Sequence, residues 1–185
     1  MIKTQFKRRI FLLRHALAIP PAAGGNDKTR VLSPKGQSDA SMLGRVMMRK
    51  NYMPDLILCS TATRTRQTLE KLMQSLPKTE TVMIDALYDG GTESYIREIQ
   101  KIPAKYKSIL IIGHNPCVCD YALKITLKAR EALLERLQEG CKPATLVALG
   151  CDVEDWALLE AKSAEITDIM DPLDYNAPEG PTRWT

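Results

Sequence analysis

The chain is predicted to fold as an α/β protein, a three-layer α/β/α sandwich with a mostly parallel central sheet. Three observations predict it. Short apolar, β-prone runs recur along the 185 residues. Stretches with helical periodicity lie between them. Strands that alternate with helices in this way form parallel sheets covered by helices on both faces. A chain of this length suits one domain that buries its own core.

The first strand is Ile10-Phe11-Leu12-Leu13, and it runs straight into Arg14-His15. Gly24-Gly25 reads as a turn. Ser33-Pro34 opens the first helix, with serine as cap and proline at the first helical position, and Ala40, Leu43, Val46 and Met47 recur at helical spacing behind it. A second strand at 56–59 leads through Ser60-Thr61-Ala62-Thr63-Arg64 into a helix marked by Leu69, Leu72, Met73 and Leu76. A third strand covers 82–84, and Gly90-Gly91 is a turn. The fourth strand, 109–112, ends at Gly113-His114, and one long helix is expected over 116–137, carrying Val118, Tyr121, Ala122, Ile125, Ala129, Leu133 and Leu137 on one face. Thr145 begins a fifth strand at 145–149, with a weaker sixth at 156–159. Residues 1–170 make the domain. Residues 171–185, with Pro172, Pro178 and Pro181, are expected to form an extended or disordered tail.

Composition narrows the function classes. The 26 basic and 22 acidic side chains, net +4, are spread along the chain with no basic tract beyond Lys7-Arg8-Arg9, and aromatics are 5%. That is no footprint for nucleic acid. No run approaches the ~20 apolar residues of a membrane span, and the apolar stretch after Arg9 is too short for an export signal. Five cysteines, an odd number at irregular spacing, suggest reduced thiols in a cytoplasmic protein.

His15 and His114 are the only histidines, and both follow apolar strands. In open α/β sheets ligands bind at the carboxyl ends of the strands. A third strand end delivers Arg64 near a helix N-terminus, where an anion is favoured. Arg14, His15, Arg64 and His114 then converge as four potential cations without a carboxylate in their motifs, an arrangement suited to a phosphate dianion. Neighbouring cations disfavour imidazolium, leaving one neutral imidazole as nucleophile and the other as oxyanion partner.

Other readings are weaker. Either histidine alone reads as a packing residue. Ser60 and Thr63 read as cap and turn groups, although Ser60 is also placed to touch phosphate. Asn115 reads as a helix cap, Arg66 as a solvated helix residue, and Trp156 and Trp184 as packing residues. Cys59 and Arg64 are one residue too close for a cysteine-phosphatase loop. His114, Cys117 and Cys119 lack a fourth ligand for zinc.

Leu12-Leu13-Arg14-His15-Ala16, Leu32-Ser33-Pro34-Lys35-Gly36, Ser60 through Arg64 to Gln67-Thr68, and Ile111-Ile112-Gly113-His114-Asn115 resemble, in order, the motifs of the histidine phosphatase superfamily. The closest likeness is to the small SixA-type phosphohistidine phosphatases, with Ala16 in place of the superfamily's usual glycine. The resemblance implies a phosphoglycerate mutase-like fold and an attack by His15 on phosphorus. Arg14, Arg64 and His114 would hold the phosphoryl oxygens, and no metal or other cofactor is needed. It also implies a general acid near Ala86 to Gly91, where Asp89 is the nearest match and Asp85 and Glu93 are neighbours. The expected substrate is phosphohistidine on a signalling or phosphorelay protein, with free phosphate or another oxyanion also fitting the site. A small phosphorylated metabolite is the first alternative, and a non-catalytic phosphate-recognition module the second.

Overall fold

Successive side chains of a strand face opposite ways, and two buried clusters follow from that rule. The structure, a computed structural model, describes residues 6–21 and 23–175. Among them seven strands form one sheet: β1 (Arg8–Arg14), β2 (Leu56–Ser60), β3 (Glu80–Ile84), β4 (Ser108–Gly113), β5 (Thr126–Lys128), β6 (Leu146–Cys151) and β7 (Ala164–Met170). Their order is β3-β2-β4-β1-β6-β7-β5. The first four in that order are mutually parallel, β6 is antiparallel to both neighbours, and β5 is parallel to β7. Mostly parallel is therefore the right description.

Ile10, Leu12, Leu58, Ile109, Ile111 and Val147 face one side of the sheet, and Phe11, Leu13, Ile57, Leu110, Ile112 and Leu146 the other. On the first side they meet Leu87 of α3 (Ala86–Asp89), Tyr95 and Ile99 of α4 (Gly91–Gln100), Val118 and Tyr121 of α5 (Cys117–Ile125) and Leu137 of α6 (Glu131–Gln138). On the second they meet Ala40, Leu43 and Met47 of α1 (Pro34–Arg49), Leu69 and Leu72 of α2 (Thr63–Leu72) and Tyr175 of α7 (Pro172–Tyr175). Each such aliphatic side chain contributes about 1.5–3 kcal/mol by leaving water. The result is a three-layer sandwich.

Ser33 caps α1 by accepting from Gly36 N, with Pro34 at the first position, as its sequence signature predicts. Gly36 is required for a different reason: a Cβ there would lie 2.1 Å from Leu17 O, so α1 can start under the Leu17 backbone only without one.

Several expectations are corrected. The stripe over 116–137 is broken: α5 ends at Ile125, β5 intervenes to pair with β7, and α6 restarts at Glu131. Periodicity within the segment does not reveal a partner strand 38 residues downstream. β7 itself escaped notice because Thr167 is an extra residue in its pairing with β6, which breaks the two-residue alternation. The weak strand at 156–159 is a 3₁₀ turn, Trp156–Leu158, capped by Asp155. Trp156 is a packing residue, fully buried, with Nε1–H donating to Tyr106 O at 2.8 Å and the Arg8 guanidinium 4.9 Å from its ring.

Cys119 and Cys141 are not reduced thiols but a disulfide, their Cα atoms 6.0 Å apart, within the span a disulfide bridges. Cys59, Cys117 and Cys151 are free. The first residues of the expected tail are not extended: α7 packs on the core, and Tyr175 OH donates to Ala144 O at 3.0 Å. Pro178, Pro181 and Trp184 lie outside the described residues.

No helix among the described residues is long and apolar enough to cross a membrane.

Candidate active site

β2, β4 and β1 are adjacent and parallel, with Cys59 opposite Ile112 and Arg14 opposite Gly113, so all three chains leave the sheet at one edge. Ser60, His114 and His15 emerge there together. His15 N donates to Gly113 O at 3.0 Å. The two imidazoles lie with ring centroids 5.1 Å apart and planes at 60°, each 8% exposed.

His15 has one tautomer compatible with its partners. Its Nδ1–H donates to Ala16 O at 2.7 Å, because a carbonyl can only accept, and the lone pair is left on Nε2. Arg64, in the first turn of α2, donates from Nε to that Nε2 at 3.1 Å. Thr68 links the two: Ala16 N donates to its Oγ1 at 3.0 Å, and Oγ1–H donates to Arg64 O at 2.7 Å. Gln67 accepts from Leu32 N at 2.7 Å and ties α2 to the approach of α1. Thr65, also buried, turns its Oγ1 onto Ser60 O and Ala62 O, both at 2.7 Å, while Arg66 is exposed.

His114 is held from two sides. Ser60 Oγ lies 2.8 Å from its Nε2, and Ala62 N donates weakly to the same Oγ at 3.5 Å. The Ser60 contact fixes the ring's orientation, and its Nδ1 is buried with no hydrogen-bond partner among the described residues. The backbone N of His114 donates to Tyr95 OH at 3.2 Å. A Cβ on Gly113 would lie 1.9 Å from that hydroxyl, which explains the glycine before this histidine. Ser60, expected at the phosphate, instead commits its hydroxyl to orienting His114.

Arg14 donates from Nη1 to Cys141 O at 2.6 Å, and its Nε is a buried donor without a partner among the described residues. Asn115 does not cap α5. Its Nδ2 donates to the same Cys141 O at 2.9 Å. The segment after Cys141 also pairs with the backbone of Arg14 and His15, through Arg14 N to Thr145 O and Ala144 N to His15 O, both 3.1 Å.

Burial pushes His15 down to about 4 and His114 down to about 3. Neighbouring positive groups act in the same direction, Arg64 and Arg14 on His15, and His15 and Arg64 on His114, where Asp27 opposes them. The sequence argument named the cations, but desolvation is the larger cause. Both rings are neutral at physiological pH. Their folded values lie below the ordinary 6.5, so the stability they contribute is present above pH 6.5 and is lost as pH falls toward 4 and 3. With two histidines in the chain, NMR can follow each ring directly: neither is expected to titrate between pH 8 and 5. A ring titrating near 6.5 would contradict this placement.

The structure adds two residues that sequence reasoning missed. Asp27, in a 3₁₀ turn (Asp27–Thr29), accepts from Arg64 Nη2 at 2.9 Å and Tyr88 OH at 3.1 Å on Oδ2, and from Arg30 Nη1 at 2.9 Å on Oδ1. Its backbone O accepts from Arg64 Nη1 at 2.7 Å. The bond from Arg30 is the main cause holding its carboxyl down to about 2. Tyr88 stands edge-on to His114, centroids 5.5 Å apart. Asn26 before Asp27 is a turn-capping signal, accepting from Lys28 N, that could have drawn attention to this loop.

Asp89, the expected general acid, is not brought to the site. It is exposed at the end of α3, and among the described residues no hydrogen bond or ion pair joins it to His15, Arg64 or His114. Asp85 is taken by Lys28 and Thr61, and Glu93 by Lys124. A four-residue helix simply presents Tyr88, one residue earlier, to the site.

No protein-family model matches the chain. It is 30% identical over 164 residues to an uncharacterized protein of Mycobacterium tuberculosis, covering 86% of this chain and 99% of the relative. It is 32% identical over 125 residues to a chloroplastic uncharacterized protein of Arabidopsis thaliana, covering 60% of this chain and 56% of that protein's length. The structure named for the phosphohistidine phosphatase SixA of Agrobacterium tumefaciens superposes with a TM-score of 0.75 at 28% identity, covering 90% of this chain and all of that one. The chain belongs to the histidine phosphatase superfamily. Within that superfamily it is SixA-like, which places it among phosphatases of the phosphoglycerate mutase-like fold.

Proposed function

We propose that this histidine phosphatase removes phosphoryl groups from phosphohistidine on a protein, through a covalent intermediate on His15. The observation that carries the proposal is the tautomer of His15, whose Nδ1–H is fixed on Ala16 O so that Nε2 keeps its lone pair. In this mechanism Nε2 attacks phosphorus, the substrate's P–N bond breaks, and the departing imidazole leaves with its own proton. Water then attacks phosphorus, the His15–P bond breaks, and inorganic phosphate is released. In this mechanism Ser60 donates to His114 Nε2, and the unpartnered Arg14 Nε–H and His114 Nδ1–H take phosphoryl oxygens, which gain negative charge in the transition state.

Leaving-group chemistry favours phosphohistidine. Asp27 is held as a carboxylate, and exposed Asp89 makes no hydrogen bond or ion pair with the four residues among those described, so neither is poised to protonate an alkoxide. A phosphoramidate whose ring is already protonated needs no such acid. Only 50 positions separate Arg64 from His114, enough for α3 and α4 but not for a large lid. A kcat/KM at least ~10-fold higher on a phosphohistidine protein than on 3-phosphoglycerate or sugar phosphates is expected, the equivalent of about 1.4 kcal/mol. The reverse order with purified enzyme would assign the same site to a small-metabolite phosphatase.

A further inference from the structure

Three of the five Arg64 N–H groups are committed, one to the nucleophile and two to Asp27. Its Nε–H sits on the His15 Nε2 lone pair at 3.1 Å, its Nη1 on Asp27 O at 2.7 Å and its Nη2 on Asp27 Oδ2 at 2.9 Å. A phosphorus atom attacked in line by Nε2 must lie along that same lone pair. Arg64 cannot remain where it is during attack, and what holds it there is Asp27.

We infer that Asp27 is a built-in competitor for the phosphoryl group: its carboxylate keeps Arg64 across His15 Nε2 and must leave before a phosphate can enter. This rests on the assignment of His15 as nucleophile and deepens it by naming the residue that gates access. The partners of the carboxylate are those a phosphate would want. One oxygen takes Arg64 and Tyr88, and the other takes Arg30. Dianion and carboxylate compete at Arg64 Nη2, since like charges at hydrogen-bonding distance of one nitrogen repel.

The geometry also lets the carboxylate depart. The Asp27 side chain is 49% exposed whereas that of Arg64 is 7% exposed, so it is the carboxylate that has water to move into. The turn bearing it belongs to a surface excursion closed at its base by the Ala18 to Leu32 bridge and the Ile19 N to Val31 O bond, and Arg30 travels on the same excursion. Outward movement therefore carries Asp27 and its Arg30 partner together. Such a gate disfavours bare phosphate and small phosphate esters. It admits a phosphoryl group borne on a body whose own contacts displace the turn.

The test is binding of inorganic phosphate, measured by calorimetry on wild type, Asp27→Asn, Asp27→Glu and Tyr88→Phe, beside hydrolysis of para-nitrophenyl phosphate. A half-exposed ion pair is worth up to about 1 kcal/mol, so phosphate is expected to bind about 5-fold tighter to Asp27→Asn. KM for the ester falls by a similar factor with kcat little changed. Asp27→Glu, which keeps the charge, returns affinity toward wild type, and Tyr88→Phe, which loosens the carboxylate without touching Arg64, moves in the direction of Asp27→Asn. Unchanged or weaker phosphate binding in Asp27→Asn, or a fall in kcat with KM constant, overturns the gate. Tighter phosphate binding with no hydrolysis by any of the proteins would leave the gate standing and overturn the assigned activity instead.

Discussion

His15→Ala is expected to abolish turnover, by at least about 10⁴-fold, the scale on which removal of a nucleophile acts. The loss should fall on chemistry rather than on binding. Arg14, Arg64 and His114 keep their own anchors in the variant: Cys141 O for Arg14, Asp27 for Arg64, and Ser60 with Tyr95 for His114. Phosphate should still bind. The fold should survive as well, since Thr68 and Gly113 hold this stretch through the backbone of residues 15 and 16, which alanine retains. Near-wild-type turnover by verified His15→Ala would remove the nucleophile from the account.

His114→Ala should lower kcat by ~10²- to 10³-fold, the usual effect of losing one oxyanion donor. The donor at stake is Nδ1–H, the proton that nitrogen carries when Ser60 donates to Nε2. The effect on KM should be smaller, because the developing charge of the transition state feels the donor more than the ground state does. A variant that lost affinity while keeping kcat would make His114 a substrate-binding group and not a transition-state one.

That Arg14, His15, Arg64 and His114 meet was legible in the sequence because they follow or close on strand ends, which are marked by the abrupt change from apolar to polar residues. Ile10 to Leu13 and Ile109 to Ile112 are apolar without interruption because these central strands are buried on both faces. What the sequence hid depends on contacts between distant segments. Asp27 lies 37 residues from Arg64 and has no signature of its own beyond a turn. The pairing of β5 with β7 cuts a helical stripe in two, and Thr167 shifts the register of β7. α4 follows directly on Gly90-Gly91, whose turn signal masks the helical spacing of Tyr95, Ile96 and Ile99. Gly91, at φ +66°, instead lets the chain reverse between α3 and α4. The disulfide joins two of five cysteines whose spacing carries no pairing information.

Identification of the phosphorylated residue during turnover tests the central claim most directly. Rapid quenching of the enzyme with a phosphohistidine substrate at neutral or alkaline pH, followed by mass spectrometry of its peptides, should find an acid-labile phosphoryl group on His15 of the wild type and on no residue of His15→Ala. A phosphoryl group on any other residue, or turnover by wild type with none on His15, would contradict the account.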